Sequence, residues 1–362
     1  MKIALVHDYL YTYGGGERVL EMFHDLFPDA PVYTLFYSPN SMPGVMKTWD
    51  IHVSGLQKVP YKKRGLKLFV PCMPVCFEAF DFSEYDLVIS VCSAFSKGII
   101  TGVDTVHISY ILTVPRFLWG YETSTQVKHK KNILMKGVNT WLRVWDRAAA
   151  DRPDFLIANA VTVQKRIAKA YNRDSKVIYS PVDETIFTLS ENKRSNTFLI
   201  TSRLEPYKRI DLAVRVCTAH NIPLQIIGEG KERKRLEKLA GPSVTFSGHL
   251  SDAEVIKAYQ NAKAVIFPGS DDMGLVPIEA QMCGAPVIAY GRDGATETIV
   301  DGLSGILFQE QTEGSLYAAM QELDKKTWNP KDIRKSVIKF TKKQFMIEMQ
   351  KYVQHVFDAS VK

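Results

Sequence analysis

Residues 267–279 read FPGSDDMGLVPIE, and they place two acidic side chains across a strand-to-helix crossing. Residues 264–267 are a short apolar run fit for a buried strand, Pro268 and Gly269 break it, and Pro277 suits the first turn of a new helix. Asp271 then falls in a loop at a strand's carboxyl end, with Glu279 eight positions on in the helix. Open α/β sheets bind ligands at that edge, and carboxylates there accept hydrogen bonds from sugar hydroxyls or a ribose. By itself the spacing also fits an ordinary loop aspartate and a glutamate that complements the helix dipole.

Working outward, residues 197–202 read as a second buried strand followed by SRLEPYKRID, with Arg203 and Lys208 five positions apart. An arginine fork and a lysine point charge at one strand end suit a pyrophosphate, where charge-assisted bonds are strong. Taken singly, such cations are usually solvated surface charges. Beside the acid pair they favour an anionic, polyhydroxylated ligand.

At 362 residues, 46% of them hydrophobic, the chain exceeds what one core usually serves, and two domains of roughly 150 to 200 residues are expected. The formal charge of +7 and pI near 8.9 suit nucleic acid, anionic lipid or an anionic nucleotide-sugar equally well. Nucleic acid is disfavoured, because no RNA-binding aromatic signature or zinc-finger spacing accompanies the basic groups. Five cysteines without regular spacing argue against a disulfide framework, and Cys72 and Cys76 have no second pair to complete a zinc site. No run reaches the roughly 18 apolar residues of a membrane span, and MKIALVHDYL reads as a first strand ending at Asp8, so a cytoplasmic protein is expected. Lys58, Lys62, Lys63, Arg64 and Lys67 run into the apolar LFVPCMPVCFEAF. That segment fits peripheral contact with an anionic membrane and, equally, a solvated turn before a core helix. Lys128, Lys130, Lys131 and Lys136 form a second basic group with the same two readings.

Strand-like runs at 3–6, 32–36, 87–91, 105–111 and 155–158 alternate with helical patterns, the sign of a parallel sheet. A second series starts near Phe198 and continues at 224–227, 244–246, 264–267 and 286–289. The last helical pattern, around 345–357, spaces Phe345, Met349, Tyr352, Val353 and Val356 along one face. Between the first strand and its helix, Gly14–Gly16 would let a ligand approach free backbone N–H groups. The dinucleotide spacing G-x-G-x-x-G is absent, and the second strand ends without the acid that would hold a nicotinamide ribose.

The pattern resembles glycosyltransferase family 4 over nearly the full length, its E-x7-E signature standing here as D-x7-E. Further matches are VIYSPVDETIF at 177–187, the Gly228-Glu229-Gly230 turn, FSGHLSDAEVIKAY at 246–259 and GRDGATETIVDGLSG at 291–305. The resemblance implies the α/β GT-B fold: Rossmann-like parallel-sheet domains at 1–183 (acceptor side) and 184–342 (nucleotide-sugar side) facing a cleft. It also implies a terminal helix at 343–362 crossing back to the first domain. It implies retaining, metal-independent sugar transfer with no cofactor, the donor being a nucleoside-diphosphate sugar. Arg203, Lys208 and Asp271 would be catalytic, with Asp271 on the donor sugar and the two cations on the diphosphate. Glu279 would hold the ribose, with Gly15, Gly16, Gly274, Leu275 and Val276 also on the donor. SAFSKG at 93–98 is similar to the family's S-x-x-A-K-G loop and brings Lys97 to the acceptor side, where VPRFLWGYE at 114–122 adds Arg116 and Trp119.

The segments HDYLYTYGGGERV and PRFLW resemble those of mannosyltransferases of surface-polysaccharide assembly, implying GDP-mannose as donor and a glycan or lipid-linked acceptor. Two departures stand out. Leu112 precedes Thr113 where the family carries a histidine that reaches the donor sugar, and Asp271 is one methylene shorter than the usual glutamate. His7 or His107 would have to replace that histidine in space, although His7 reads first as a core residue at a strand end. The departures leave open a non-catalytic GT-B protein that binds a nucleotide-sugar or glycan as a partner subunit. A GT-B epimerase fits less well, since its acid and base groups have no candidates here.

Overall fold

The computed structural model describes residues 1–59, 69–121, 133–191 and 193–360. The chain divides into two units. The first holds Met1–Tyr121, His129–Pro181 and Phe345–Lys362, and the second is built on Val182–Gln344.

In the first unit, strands β1 (Ile3–His7), β2 (Val32–Thr34), β3 (Ile51–Val53), β4 (Leu87–Cys92), β5 (Val106–Ile111), β6 (Phe155–Ala158) and β7 (Lys176–Val177) form one sheet in the order 3-2-1-4-5-6-7. Every pairing is parallel. The central strands LVISVC and VHISYI are buried at every position because helices cover both faces, which is why they lack the alternation of a half-exposed strand. The helices are α1 (Gly15–Leu26), α2 (Met73–Glu78), α3 (Arg116–Trp119), α4 (Ile133–Ala149) and α5 (Val161–Tyr171).

In the second unit, β8 (Phe198–Thr201), β9 (Leu224–Ile227), β10 (Val244–Gly248), β11 (Val265–Phe267), β12 (Val287–Tyr290) and β13 (Gly305–Phe308) form a parallel sheet in the order 10-9-8-11-12-13. Around it lie α6 (Ile210–Ala219), α7 (Arg233–Leu239), α8 (Asp252–Asn261), α9 (Leu275–Met282), α10 (Ala295–Thr298), α11 (Glu313–Asp324) and α12 (Pro330–Ser336). In each sheet the order reverses beside the first strand, between β1 and β4 and between β8 and β11. Those are the switch points where the connections on either side leave a crevice at the strand ends.

The final helix, α13 (Lys342–Ser360), returns to the first unit, as the resemblance implies. Phe345, Met349, Val353 and Val356 join the core formed by α1 and the first sheet, with Tyr352 packed against its margin. The Phe345 ring stands edge-on to Phe23 at 5.3 Å and to Tyr110 at 5.9 Å. Truncating a buried phenylalanine costs about 3–5 kcal/mol, so Phe345→Ala is expected to lower stability by that amount in urea unfolding of the full chain. An unchanged midpoint would mean that the helix does not hold the first unit together.

Candidate functional site

The switch point of the second sheet is assembled by backbone pressed against backbone. A Cβ on Gly228, whose φ is +129°, would lie 1.9 Å from the Ser202 carbonyl oxygen, and one on Gly230 would lie 2.4 Å from that of Leu204. The Gly228–Gly230 turn therefore seats directly on the segment that carries Arg203, tied to it by Leu204 N–H to Glu229 O at 2.9 Å. On the β11 side, a Cβ on Gly269 would stand 2.8 Å from the Lys208 Cα, so only glycine lets the two loops meet.

This contact brings together residues 63 positions apart. The Lys208 ammonium, at the end of a one-turn 3-10 helix (Pro206–Lys208), donates to an Asp271 carboxylate oxygen. Both side chains are largely covered, at 14% and 17% exposure, and the ammonium also lies over the Phe267 ring at 5.6 Å. Arg203 stays exposed, with one guanidinium nitrogen donating to the Tyr207 hydroxyl at 3.2 Å. Gly274, with φ +78°, turns the chain into α9, whose first residues Leu275 and Val276 lack a side-chain cap. The shoulder of this loop is fixed by Gly294 N–H to Asp271 O at 3.0 Å and by a hydrogen bond from the Ser270 hydroxyl to Asp293.

Glu279 lies one turn further into α9 and is buried, its Oε2 accepting from the Tyr259 hydroxyl at 2.9 Å. Burial, and then the Glu279 charge, push the Tyr259 hydroxyl well above its ordinary value, so it stays a donor. Tyr259 is a site residue that the sequence reading did not single out. It closes the matched segment at 246–259, and nothing in that segment shows that its hydroxyl reaches a helix 20 residues later.

In the first unit, Gly15 and Gly16 open α1 beside the end of β1. A Cβ on Gly16 would meet Leu112 Cδ1 at 3.3 Å and His7 Cε1 at 3.6 Å. The neighbouring SAFSKG loop is organised by Asp8, whose carboxylate accepts the backbone N–H groups of Ser93 (2.6 Å) and of Ala94, Phe95 and Ser96 (each 2.8 Å). Read from sequence, Asp8 only marked the end of a strand.

Two residues expected on the acceptor side point inward instead. Lys97 is fully buried, and its ammonium donates to the Ala94 carbonyl at 2.8 Å and to the buried carboxylate of Asp146. Burial pulls its pKa down, but Asp146 outweighs this and the ammonium remains charged. The other Asp146 oxygen accepts from Trp119 Nε1 at 2.7 Å and from the Tyr171 hydroxyl at 2.9 Å. Lys97 and Trp119 are thus parts of a buried polar strut, their polar atoms spent within the unit. Arg116 opens the short α3 and is half-buried. His107 is no substitute for a histidine at 112: it is the second residue of β5, towards the strand's amino end, bonded to Ser90 at 2.9 Å, and burial lowers its pKa to about 3. Of the two basic groups, 62–67 and 128–131 lie outside the described residues, while Lys136 is exposed on α4. Among the described residues, no helix is long and apolar enough to cross a membrane.

Solved structures with this architecture are two-domain glycosyltransferases of GT-B fold. Sucrose-phosphate synthase from Thermosynechococcus elongatus superimposes with a TM-score of 0.78 at 17% identity, covering 99% of this chain and 100% of that one. Anabaena HepE, solved in complex with UDP and glucose, does so with a TM-score of 0.72 at 17% identity, covering 98% and 99%. At such identities the likeness establishes the fold.

More particularly, residues 181–344, less than half of the chain, match the family model described as Glycosyl transferases group 1. Among curated relatives, a D-inositol 3-phosphate glycosyltransferase of Acidothermus cellulolyticus is 29% identical over 44% of this chain and 42% of its own length. The Mycolicibacterium smegmatis protein of that description is 25% identical over 76% and 79%. The first three relatives matched are spanned over only 42%, 55% and 62% of their lengths.

Proposed function

We propose that the protein is a retaining glycosyltransferase that moves a hexose from a nucleoside diphosphate to a hydroxyl of a glycan or lipid-linked acceptor, using no metal or cofactor. The observation that carries this reading is the meeting of Lys208 and Asp271 at the switch point of the second sheet, beside an exposed Arg203. As the glycosidic bond breaks, negative charge grows on the departing diphosphate. A guanidinium and an ammonium fixed there stabilise that charge more in the transition state than in the ground state. Glu279, held by Tyr259, accepts hydrogen bonds from the ribose, and Asp271 is exchanged from Lys208 to the hydroxyls of the sugar as the diphosphate takes the ammonium. In a retaining reaction of this kind the acceptor arrives on the face from which the diphosphate leaves, and the diphosphate takes its proton.

For the donor we propose GDP-mannose, on the resemblance of HDYLYTYGGGERV and PRFLW to mannosyltransferases of surface-polysaccharide assembly. The basic groups at 62–67 and 128–136 support peripheral binding to the cytoplasmic face of an anionic membrane, where a lipid-linked acceptor would be presented. Melting the protein with GDP, UDP and their sugars tests the donor site. A ligand at a hundredfold its Kd stabilises by about 2.7 kcal/mol, which raises Tm by roughly 5–10 °C for a unit of this size. The largest shift is expected with GDP-mannose. A shift with UDP-sugars alone reassigns the base, and no shift with any of them removes the donor-site model.

A further inference from the structure

We propose that His7 and Glu17 hold one proton in common, and that this proton-bearing pair is the positioning device for the Gly14–Gly16 loop in the sugar transfer proposed above. The argument begins with what each atom can do. His7 Nδ1 lies 3.0 Å from the Val91 carbonyl oxygen, which can only accept, so Nδ1 carries a hydrogen. His7 Nε2 lies 3.5 Å from Glu17 Oε1. An ionised carboxylate can also only accept. Either Nε2 bears a second proton or the glutamate is protonated, because otherwise two lone pairs face each other in a pocket that leaves the side chains 3% and 10% exposed.

The surroundings favour keeping that proton. Asp8, next along β1, brings a second negative charge whose oxygens are already engaged by four backbone N–H groups. Leu112, the residue after β5, meets the same face of Gly16 as the imidazole and carries no charge. Burial alone lowers the His7 pKa, but the hydrogen bond and charge of Glu17, the charge of Asp8 and the Val91 carbonyl together raise it above its ordinary value.

The pair touches both ends of the glycine loop. The imidazole lies 3.6 Å from the place of a Cβ on Gly16, and a Glu17 carboxylate oxygen lies 3.4 Å from the place of one on Gly14. The imidazole that the family resemblance would lead one to seek at 112 is thus supplied to the same face of Gly16 by β1. It acts through the loop, since both of its nitrogens are engaged. A folded pKa above the unfolded one means that the pair's contribution is complete below about pH 6.5 and is lost as pH rises through the folded value.

The test is the protonation of His7 in the full-length protein, followed by nitrogen-15 shifts of labelled histidine, together with the pH profile of kcat/KM. In the wild type the imidazole is expected to keep both protons past the usual 6.5. In Glu17→Gln the amide can donate to a neutral Nε2, so the contact survives while the shared proton does not. His7 should then titrate about one unit or more lower, and the alkaline limb of kcat/KM should flatten. In His7→Gln the limb should vanish and KM should rise more than kcat falls. A His7 already neutral at pH 6 in the wild type, or one that titrates identically in Glu17→Gln, overturns the proposal. The titration needs no turnover, so failure to detect sugar transfer counts against the proposed function and leaves the pair to be judged by its own readout.

Discussion

Replacing Lys208 with alanine is expected to lower kcat/KM for sugar transfer by about 10²–10³-fold, a loss of roughly 3–4 kcal/mol of transition-state stabilisation. The ammonium is largely covered, it is held above the Phe267 ring, and its present partner is one carboxylate of the same site. In that setting a preorganised charge is worth far more than it would be in water. Most of the loss should fall on kcat, because charge develops on the diphosphate only as the bond breaks. Arg203→Ala should act in the same direction and more weakly, since its guanidinium is exposed. Turnover of donor and acceptor by wild type and variants decides this. A wild type that binds the donor but transfers nothing would favour the reading as a non-catalytic binding subunit, for which Leu112 is the best argument. A Lys208→Ala enzyme with undiminished kcat would end the proposed role of the ammonium.

Lys97→Ala is expected to cost about 3–5 kcal/mol of stability, the penalty for removing one member of a buried ion pair and leaving the other charge uncompensated. Asp146 is fully buried, and its remaining donors, Trp119 Nε1 and the Tyr171 hydroxyl, are neutral. For a unit of this size the loss corresponds to a drop in Tm of roughly 6–20 °C. Thermal unfolding followed by tryptophan fluorescence measures it, since Trp119 and Trp145 both border the pair. Were the variant to melt like the wild type and lose only acceptor affinity, Lys97 would belong to the acceptor side after all.

Both predictions concern lysines that look alike in sequence, each a few residues past a buried strand. Lys208 meets its partner because Gly269 lets two loops touch, and it remains at the edge of the sheet. Lys97 meets its partner because α4 delivers Asp146 beneath the loop, 49 residues away. Which way each cation turns depends on contacts between distant segments, and local pattern carries no record of them.

The alternation of strands and helices was legible because strands buried on both faces are near-continuous apolar runs, as VIF is and as LVISVC is apart from Ser90. Short edge strands such as Ile51–Val53 and Lys176–Val177 left no such mark, since a strand of two or three residues with an exposed face has little apolar content to show. The terminal helix announced its buried face through Phe345, Met349 and Val353, spaced to one side.

The sequence by itself determined the strand-and-helix alternation of two parallel sheets, the apolar face of the last helix, whose return to the first unit the family resemblance implied, and the chemical types placed at strand ends: two cations, two carboxylates and nearby glycines. Tertiary structure alone decided which of these groups meet, that Tyr259 holds Glu279, that Asp8 gathers four N–H groups, and that His7 faces Glu17. The reason is that apolar periodicity is written locally by burial, whereas the orientation of a polar side chain is set by whichever partner the fold brings within hydrogen-bonding distance.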